Sequence, residues 1–172
     1  MGFTPLDGLV MATRSGALDP GVLIWAQRRQ ALSADDLERI LDRESGLLGM
    51  SGLSGDVRTV VDAAERGDGA ARLALDVYLH RLRGSVAAMA AALGGLDALV
   101  FTGGVGEHSP VVRTGACAGL GFLGVTLDPD ANAAAGSGDR VISPAGERVA
   151  VVVVEAREDL EIAGEVRRLL GA

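Results

Sequence analysis

The 172-residue sequence has few of the residue types that define several protein classes. A single cysteine, Cys117, excludes an intramolecular disulfide framework and favours a reducing compartment. Two histidines, His80 and His108, are too few for a histidine-rich metal site. Aromatic residues make up only 3% of a chain that is 48% hydrophobic, so its core must be built from Ala, Val and Leu.

Positive charge and long hydrophobic runs are also scarce. The net charge is −7 and no basic cluster is present, which argues against nucleic acid and anionic membranes as partners. The start of the chain has neither the basic residues nor the apolar stretch of a signal peptide. The alanine-rich stretch 86–93 is too short to span a bilayer. We therefore expect a soluble cytoplasmic protein.

The order of apolar periods and turn signals predicts an α/β chain that is helix-rich in its first half. Capping patterns predict helix starts at Asp19–Pro20, Ser33–Asp36, Asp56 and Ser109–Pro110. Two further helices are predicted, over 69–93 and over 157–170. The apolar face of the first carries Leu73, Val77, Leu82, Val86 and Met89. Predicted strands cover 9–13, 99–101, 122–127 and 149–154. A glycine-serine segment covers 46–56, and a loop is predicted over 128–140. Only one of these strands precedes residue 95, which indicates that strands are missing on the N-terminal side.

The stretch "VFTGGVGEHSP", residues 100–110, places three glycines between a strand and a helix start. Clustered glycines indicate either a backbone conformation that other residues avoid or a close backbone approach. A strand, glycine turn and helix would direct backbone N–H groups toward an anion or a nucleotide. A tight turn without a ligand explains the same residues. The stretch is neither a P-loop nor a complete dinucleotide fingerprint.

Three other polar clusters follow predicted strands or turns, where α/β folds bind ligands. Arg14 could clamp a phosphate or carboxylate, or form a surface ion pair. Asp56 and Arg58 could face a ligand, or be a helix cap and a solvated arginine. The acidic residues Glu155, Glu158 and Asp159 could hold Mg²⁺, or simply complement a helix dipole. Each cluster alone is weak evidence for a ligand site, and the recurrence of such clusters at loop positions is stronger evidence.

Four motifs together resemble the acetate kinase family. They are "GFTPLDGLVMATRSGALDP" (2–20), "GLSGDVR" (52–58), "LGGLDALVFTGGVGEHSPVVR" (93–113) and "EDLEIA" (158–163). The resemblance covers almost the whole chain, and the two long motifs are specific to this family and its propionate and butyrate kinase relatives. It implies the actin, Hsp70 and sugar-kinase (ribonuclease H-like) superfold. It also implies phosphoryl transfer between ATP and a short-chain carboxylate such as acetate, with Mg²⁺.

The resemblance assigns roles to individual residues. Arg14 resembles the catalytic arginine that stabilises the transferring phosphoryl group, and Glu158 resembles a Mg²⁺-site carboxylate. The remaining positions resemble nucleotide-binding residues: Asp56, Val57, Arg58, Gly104, Val105, Gly106, Glu107 and His108. Two positions depart from the family, which usually has Asn where His108 and Arg157 stand. His108 can still hydrogen-bond a ligand, whereas Arg157 places a positive charge beside the proposed metal ligand.

The family also has an N-terminal domain and the start of the second domain before the counterpart of residue 2. Those parts supply the carboxylate pocket, a catalytic aspartate, catalytic histidines and a phosphate loop. Residues 1–172 are thus predicted to be the C-terminal nucleotide-binding portion of such an enzyme, inactive alone. We expect a homodimer when complete, or a complementing N-terminal chain. The alternatives are a propionate or butyrate kinase, and a non-catalytic nucleotide-binding or partner-docking protein.

Overall fold

The computed structural model describes residues 2–134, 136 and 138–171, and the chain forms two compact units, Met1–Gly95 and Leu96–Ala172. Within the described residues, the first unit is helical. Its helices are α1 (Pro20–Gln30), α2 (Ala34–Arg43), α3 (Gly46–Ser51), α4 (Val57–Glu65) and α5 (Gly69–Leu93). The predicted caps form: Asp19, Ser33 and Asp56 each accept a backbone N–H at the helix start. Ser33 and Asp36 make a complete capping box.

The core of the first unit lies where α5 packs against α3 and α4. Small apolar residues line this contact, and Val60, Ala71 and Ala74 are fully buried. The prediction of the apolar face of α5 is wrong at Leu73 and Met89, because these side chains are 60% and 61% exposed. The buried face of α5 instead consists of Ala71, Ala74, Leu75, Leu79 and Ala90.

One strand prediction in the first unit is wrong, because residues 9–13 do not form a strand. The glycine-serine segment 46–56 contains α3. Both observations have one cause. The carbonyl oxygens of Met11 and Ala12 accept hydrogen bonds of 2.9 Å from the N–H groups of Leu47 and Leu48, at the start of α3. The apolar segment therefore bonds to a helix terminus rather than to a neighbouring strand.

The second unit combines a mixed sheet with short helices. Its strands are β1 (Ala98–Phe101), β2 (Arg140–Val141) and β3 (Ala150–Val153), in the order β1-β3-β2. β3 pairs with β1 in parallel and with β2 in antiparallel orientation. The helices are α6 (Gly103–His108), α7 (Pro110–Cys117), α8 (Pro129–Ala133) and α9 (Glu158–Leu170). The predicted strands 99–101 and 149–154 and the predicted helix 157–170 are thus confirmed.

The other expectations for the second unit are corrected. Residues 122–127 are not a strand, because Leu123 and Gly124 donate their N–H groups locally, to the carbonyls of Leu120 and Gly121. The predicted loop 128–140 contains α8, which Asp128 caps, and the start of β2. Positions 135 and 137 of that loop lie outside the described residues.

Several helices of the structure leave apolar side chains in solvent. No residue of α1 or α9 is buried. On α9, Leu169 and Leu170 are 85% and 77% exposed, and on α1 Trp25 is 56% exposed. Among the described residues, no helix combines the length and the apolar character needed to cross a membrane.

Candidate functional site

The predicted site residues fall into two groups, one in each unit. Arg14 and Asp56–Arg58 belong to the first unit, and Gly104–His108 and Glu158 belong to the second. The contacts of these residues join Asp56 to Arg58 in the first unit and Glu107 to the backbone of Gly103 and Ala156 in the second.

Arg14 lies in an irregular segment that is tied to the end of α2. Its Nε donates to Oδ1 of Asp42 at 2.5 Å, and the two side chains are 39% and 30% exposed. The neighbouring residues are held by backbone bonds, from Ser15 N–H to the Leu41 carbonyl and from Ser45 N–H to the Thr13 carbonyl. The predicted phosphoryl-binding arginine is therefore a partly exposed cation with a fixed backbone.

The start of α4 carries the predicted adenosine contacts. Asp56 accepts the N–H of Arg58 at 2.9 Å and also pairs with the Arg58 guanidinium, from Nη2 to Oδ2 at 2.7 Å. These hydrogen bonds lower the pKa of Asp56, with the Arg58 side chain as the largest cause. Val57 is buried, so only its backbone can meet a ligand. The structure thus makes Asp56 and Arg58 a preformed pair at the solvent boundary.

The glycine segment is a short helix, not the turn that the sequence predicted. Thr102 precedes α6, whose first residue, Gly103, has φ +71°, a conformation that favours glycine. A Cβ on Gly106 would lie 3.2 Å from the Phe101 carbonyl carbon, whereas a Cβ on Gly104 would meet no atom within 4 Å. Glycine at 103 and 106 therefore has a structural reason, and Gly104 faces open space.

Glu107 connects the segments that follow β1 and β3. Its Oε1 accepts the N–H of Gly103 at 2.7 Å and the N–H of Ala156 at 2.9 Å. One carboxylate oxygen thereby satisfies backbone donors that follow two adjacent parallel strands. Glu107, which the sequence predicted to bind the nucleotide, is half-buried in this structure and joins the start of α6 to the segment after β3.

Arg113 is a functional candidate that the sequence analysis missed. It is 1% exposed and donates to the carbonyls of Gly106 and Glu107, both at 2.8 Å, and to Oδ1 of Asn132 at 2.7 Å. Burial lowers its pKa, and the nearby Arg140 guanidinium lowers it further. Its place on the buried face of α7, beside Val112 and Ala116, was the available signal.

An open pocket of about 330 Å³ lies beside the end of α6. Its polar lining comprises Glu107, His108, Arg113 and Arg140. Glu107 is the single acid in this lining, and one of its oxygens is engaged by the two backbone N–H groups. The two arginines give the pocket an excess of positive charge, which suits an anionic ligand.

The acidic cluster of Glu155, Glu158 and Asp159 is less concentrated than the sequence suggested. Glu158 is the first residue of α9 and is exposed, and no group of three or more metal-ligating side chains occurs within the described ranges. Arg157 is engaged by Asp139, with Nη2 3.1 Å from Oδ2. The N–H of Glu155 and the Arg157 guanidinium together lower the pKa of Asp139. Asp139 thus balances the positive charge that Arg157 places near Glu158.

Comparisons with known proteins agree over nearly the whole chain. The chain is 53% identical to the acetate kinase of Leifsonia xyli subsp. xyli (strain CTCB07) over 172 residues. This alignment covers 100% of this chain and 43% of that protein. It is 55% identical to the acetate kinase of Clavibacter michiganensis subsp. michiganensis (strain NCPPB 382), over 95% of this chain and 41% of that one. The chain thus spans about two fifths of the length of these curated relatives.

Solved structures give the same result. The crystal structure of Porphyromonas gingivalis acetate kinase matches with a TM-score of 0.93 at 40% identity, over 99% of this chain and 43% of that chain. A propionate kinase from Francisella tularensis subsp. tularensis SCHU S4 matches with a TM-score of 0.86 at 37% identity, over 95% and 41% of the two chains. The predicted actin-like α/β fold is confirmed. The model of the Acetokinase family matches residues 1–164, and the chain belongs to that family.

Proposed function

We propose that these residues are the C-terminal nucleotide-binding portion of an acetate kinase, which transfers a phosphoryl group reversibly between ATP and acetate. The observation that carries the proposal is the identity of 53% to an acetate kinase over every residue of the chain. The four motifs quoted above lie within this match.

Arg14 would stabilise the phosphoryl group during transfer. Phosphoryl transfer depends on positioning and on stabilising charge that is spread over three oxygens, more than on covalent help from the protein. A guanidinium has five N–H donors, and Arg14 uses only its Nε in the described structure. Its partial exposure leaves the terminal nitrogens accessible to an anion.

Within the second unit, the nucleotide would lie against the backbone of α6. Gly104 supports this placement because its missing side chain leaves open space, which permits close approach of a ligand to the backbone. Asp56 and Arg58 would contact the adenosine from the start of α4, through the outer edges of their pair. The positive pocket beside His108 is compatible with a phosphorylated ligand.

Magnesium would be held by Glu158 together with phosphate oxygens and water. Mg²⁺ commonly uses one or two carboxylates and completes its octahedron with substrate and solvent. An exposed Glu158 without a cluster of other ligands fits that arrangement and does not fit an all-protein metal cage. When bound, the ion would neutralise phosphate charge.

The acetate pocket and the partner subunit are proposed to involve protein outside these residues. In support, the chain spans 43% of its Leifsonia relative, and α9 exposes Leu169 and Leu170. A homodimer of the complete enzyme, or a complementing N-terminal chain, would cover such apolar surface. Propionate is the second candidate substrate, because a propionate kinase matches with a TM-score of 0.86.

A chimeric enzyme tests the proposal. Residues 1–172 replace the matching 43% of the Leifsonia acetate kinase, and acetyl phosphate formation is measured as the hydroxamate with acetate, propionate and butyrate. We expect ATP-dependent activity with acetate that Arg14→Ala lowers by about 10²–10³-fold in kcat. A folded chimera without activity, or an Arg14→Ala chimera with full activity, would contradict the proposal.

The 172 residues alone provide the complementary experiment. We expect them to form no measurable acetyl phosphate, because the resemblance assigns the carboxylate pocket and the acid–base residues elsewhere. Turnover that persists in rigorously repurified protein would show that these residues suffice for activity.

A further inference from the structure

The Arg14 guanidinium is held at only one of its three nitrogens. Nε donates to Asp42 at 2.5 Å, and within the described part of the chain Nη1 and Nη2 have no hydrogen-bond partner. Bidentate recognition of a phosphate uses two parallel N–H donors, and the terminal nitrogens retain four. The contact with Asp42 therefore fixes the base of the guanidinium and leaves its outer edge available.

Asp42 occupies a position that is unfavourable for a carboxylate. It lies in the last turn of α2, next to Arg43, where the helix dipole favours cations and disfavours anions. The Arg43 Nε lies 3.8 Å from Asp42 Oδ2 and is mostly exposed, so it offers a weak second partner. Helix stability alone does not explain an aspartate here.

The same residue also holds the backbone next to Arg14. The Thr13 hydroxyl donates to the Asp42 carbonyl oxygen at 2.9 Å. Asp42 thus contacts Thr13 through its main chain and Arg14 through its carboxylate. Two independent contacts fix both the path of the segment and the direction of the arginine side chain.

We propose that Asp42 is a positioning residue for phosphoryl transfer, which orients the Arg14 guanidinium toward the transferring group. This inference rests on the proposed function. A partly exposed ion pair contributes little to stability, since solvent screens it and both side chains lose freedom. Orientation of a cation can nevertheless change a rate strongly, because small displacements of a charge-stabilising group weaken transition-state contacts.

Substitutions at Asp42 separate orientation from charge. Asp42→Ala removes the acceptor and frees the guanidinium, whereas Asp42→Asn retains a carbonyl oxygen that can still accept the Nε–H. In the active chimera, we expect Asp42→Ala to lower kcat at least tenfold while KM for ATP changes less than threefold. Asp42→Asn should retain at least a third of the kcat. Asp35→Ala, an exposed acid on the same helix, is the matched control and should leave kcat unchanged.

A second measurement examines the contact without activity. In the 172-residue chain, the ¹⁵Nε–H signal of Arg14 should exchange slowly with water, and Asp42→Ala should accelerate that exchange at least tenfold with a melting temperature within about 3 °C. A normal kcat for Asp42→Ala in an active chimera would overturn the inference and leave the proposed function intact. Loss of activity that simply follows unfolding, or an Arg14 signal insensitive to Asp42, would also overturn it. An inactive unmutated chimera would instead overturn the proposed function on which it rests.

Discussion

The carboxylate of Glu107 accepts the backbone N–H of Ala156 at 2.9 Å, and the same oxygen accepts the N–H of Gly103. Ala156 follows β3 and Gly103 follows β1, so one side chain ties together the ends of two parallel strands. The predicted ligand-binding helix α6 and the segment leading to Glu158 therefore cannot move independently while this contact persists.

Glu107→Ala should destabilise the second unit by about 1 kcal/mol, because the half-buried N–H of Gly103 and the exposed N–H of Ala156 lose their acceptor. Amide hydrogen exchange measures this directly, and we expect faster exchange at Gly103 and Ala156. Glu155→Ala is the control, because the structure engages the backbone N–H of Glu155 and leaves its carboxylate exposed. Unchanged exchange at Ala156 in Glu107→Ala would contradict the crosslink.

Gly104 and Gly106 should respond differently to valine. Gly106→Val brings a branched side chain against the Phe101 backbone, so the melting temperature should fall by several degrees. Gly104→Val points into open space and should leave the melting temperature nearly unchanged. If the nucleotide approaches this backbone, calorimetry on the chimera should show Mg-ADP affinity at least tenfold weaker in Gly104→Val, about 1.4 kcal/mol. Normal affinity in this well-folded variant would end the nucleotide assignment of Gly104.

Gly46 and Gly52 form a matched pair for testing the segment that carries Arg14. Both have φ +65°, so alanine at either position adds similar backbone strain, about 1–2 kcal/mol. A Cβ on Gly46 would overlap the Met11 carbonyl oxygen, whereas a Cβ on Gly52 would meet nothing within 4 Å. Denaturant unfolding should therefore show Gly46→Ala losing at least about 1 kcal/mol more than Gly52→Ala. Equal losses would mean that α3 and residues 11–14 do not pack as described.

Cys117 should be almost inert in the native protein. Burial raises the pKa of its thiol to about 11 from an ordinary value of 9.0, although Arg113 opposes the shift. At pH 8 only about 0.1% of such a thiol is thiolate. A thiol reagent should thus react slowly with native protein and rapidly with protein in denaturant. Fast native labelling at pH 8, with the fold intact, would contradict this burial.

The same shift gives a pH dependence with a defined sign. Between about pH 9 and pH 11 the unfolded chain loses the Cys117 proton while the folded chain keeps it. The folded state then binds more protons, so the free energy of unfolding should decrease as the pH rises through this window. Cys117→Ala should remove that part of the decrease, as measured by denaturant unfolding at several pH values.

The features predicted correctly from sequence are mostly local ones. The caps at Asp19, Ser33, Asp56 and Ser109 form as expected, because a cap depends on residues two or three positions apart. The extent of α5 over 69–93 was also predicted correctly, since Asp68 and Gly94 bound it. The strand 149–154 was confirmed because a β-branched apolar run has few alternatives.

Other features were missed because they depend on long-range hydrogen bonding, although residues 122–127 bond locally. Residues 9–13 have a strand-like composition, but the carbonyl oxygens of Met11 and Ala12 bond to α3. The network of Arg113 depends on Asn132, which a local pattern does not reveal. The sequence motif does not show that Glu107 contacts the backbone of Ala156, which the folded chain brings beside it. The nucleotide, metal and phosphoryl roles of the site residues, Glu107 included, stay predictions.

The strand register also sets an order for folding during synthesis. Ala98 pairs with Ala150, so among the described strands β1 has no partner until β3 has left the ribosome. The contacts of α5 with α3 and α4 lie close together along the chain and can form first. Until β3 arrives, the apolar strand β1 lacks this partner, and this is the interval in which a nascent chain would most need protection from aggregation.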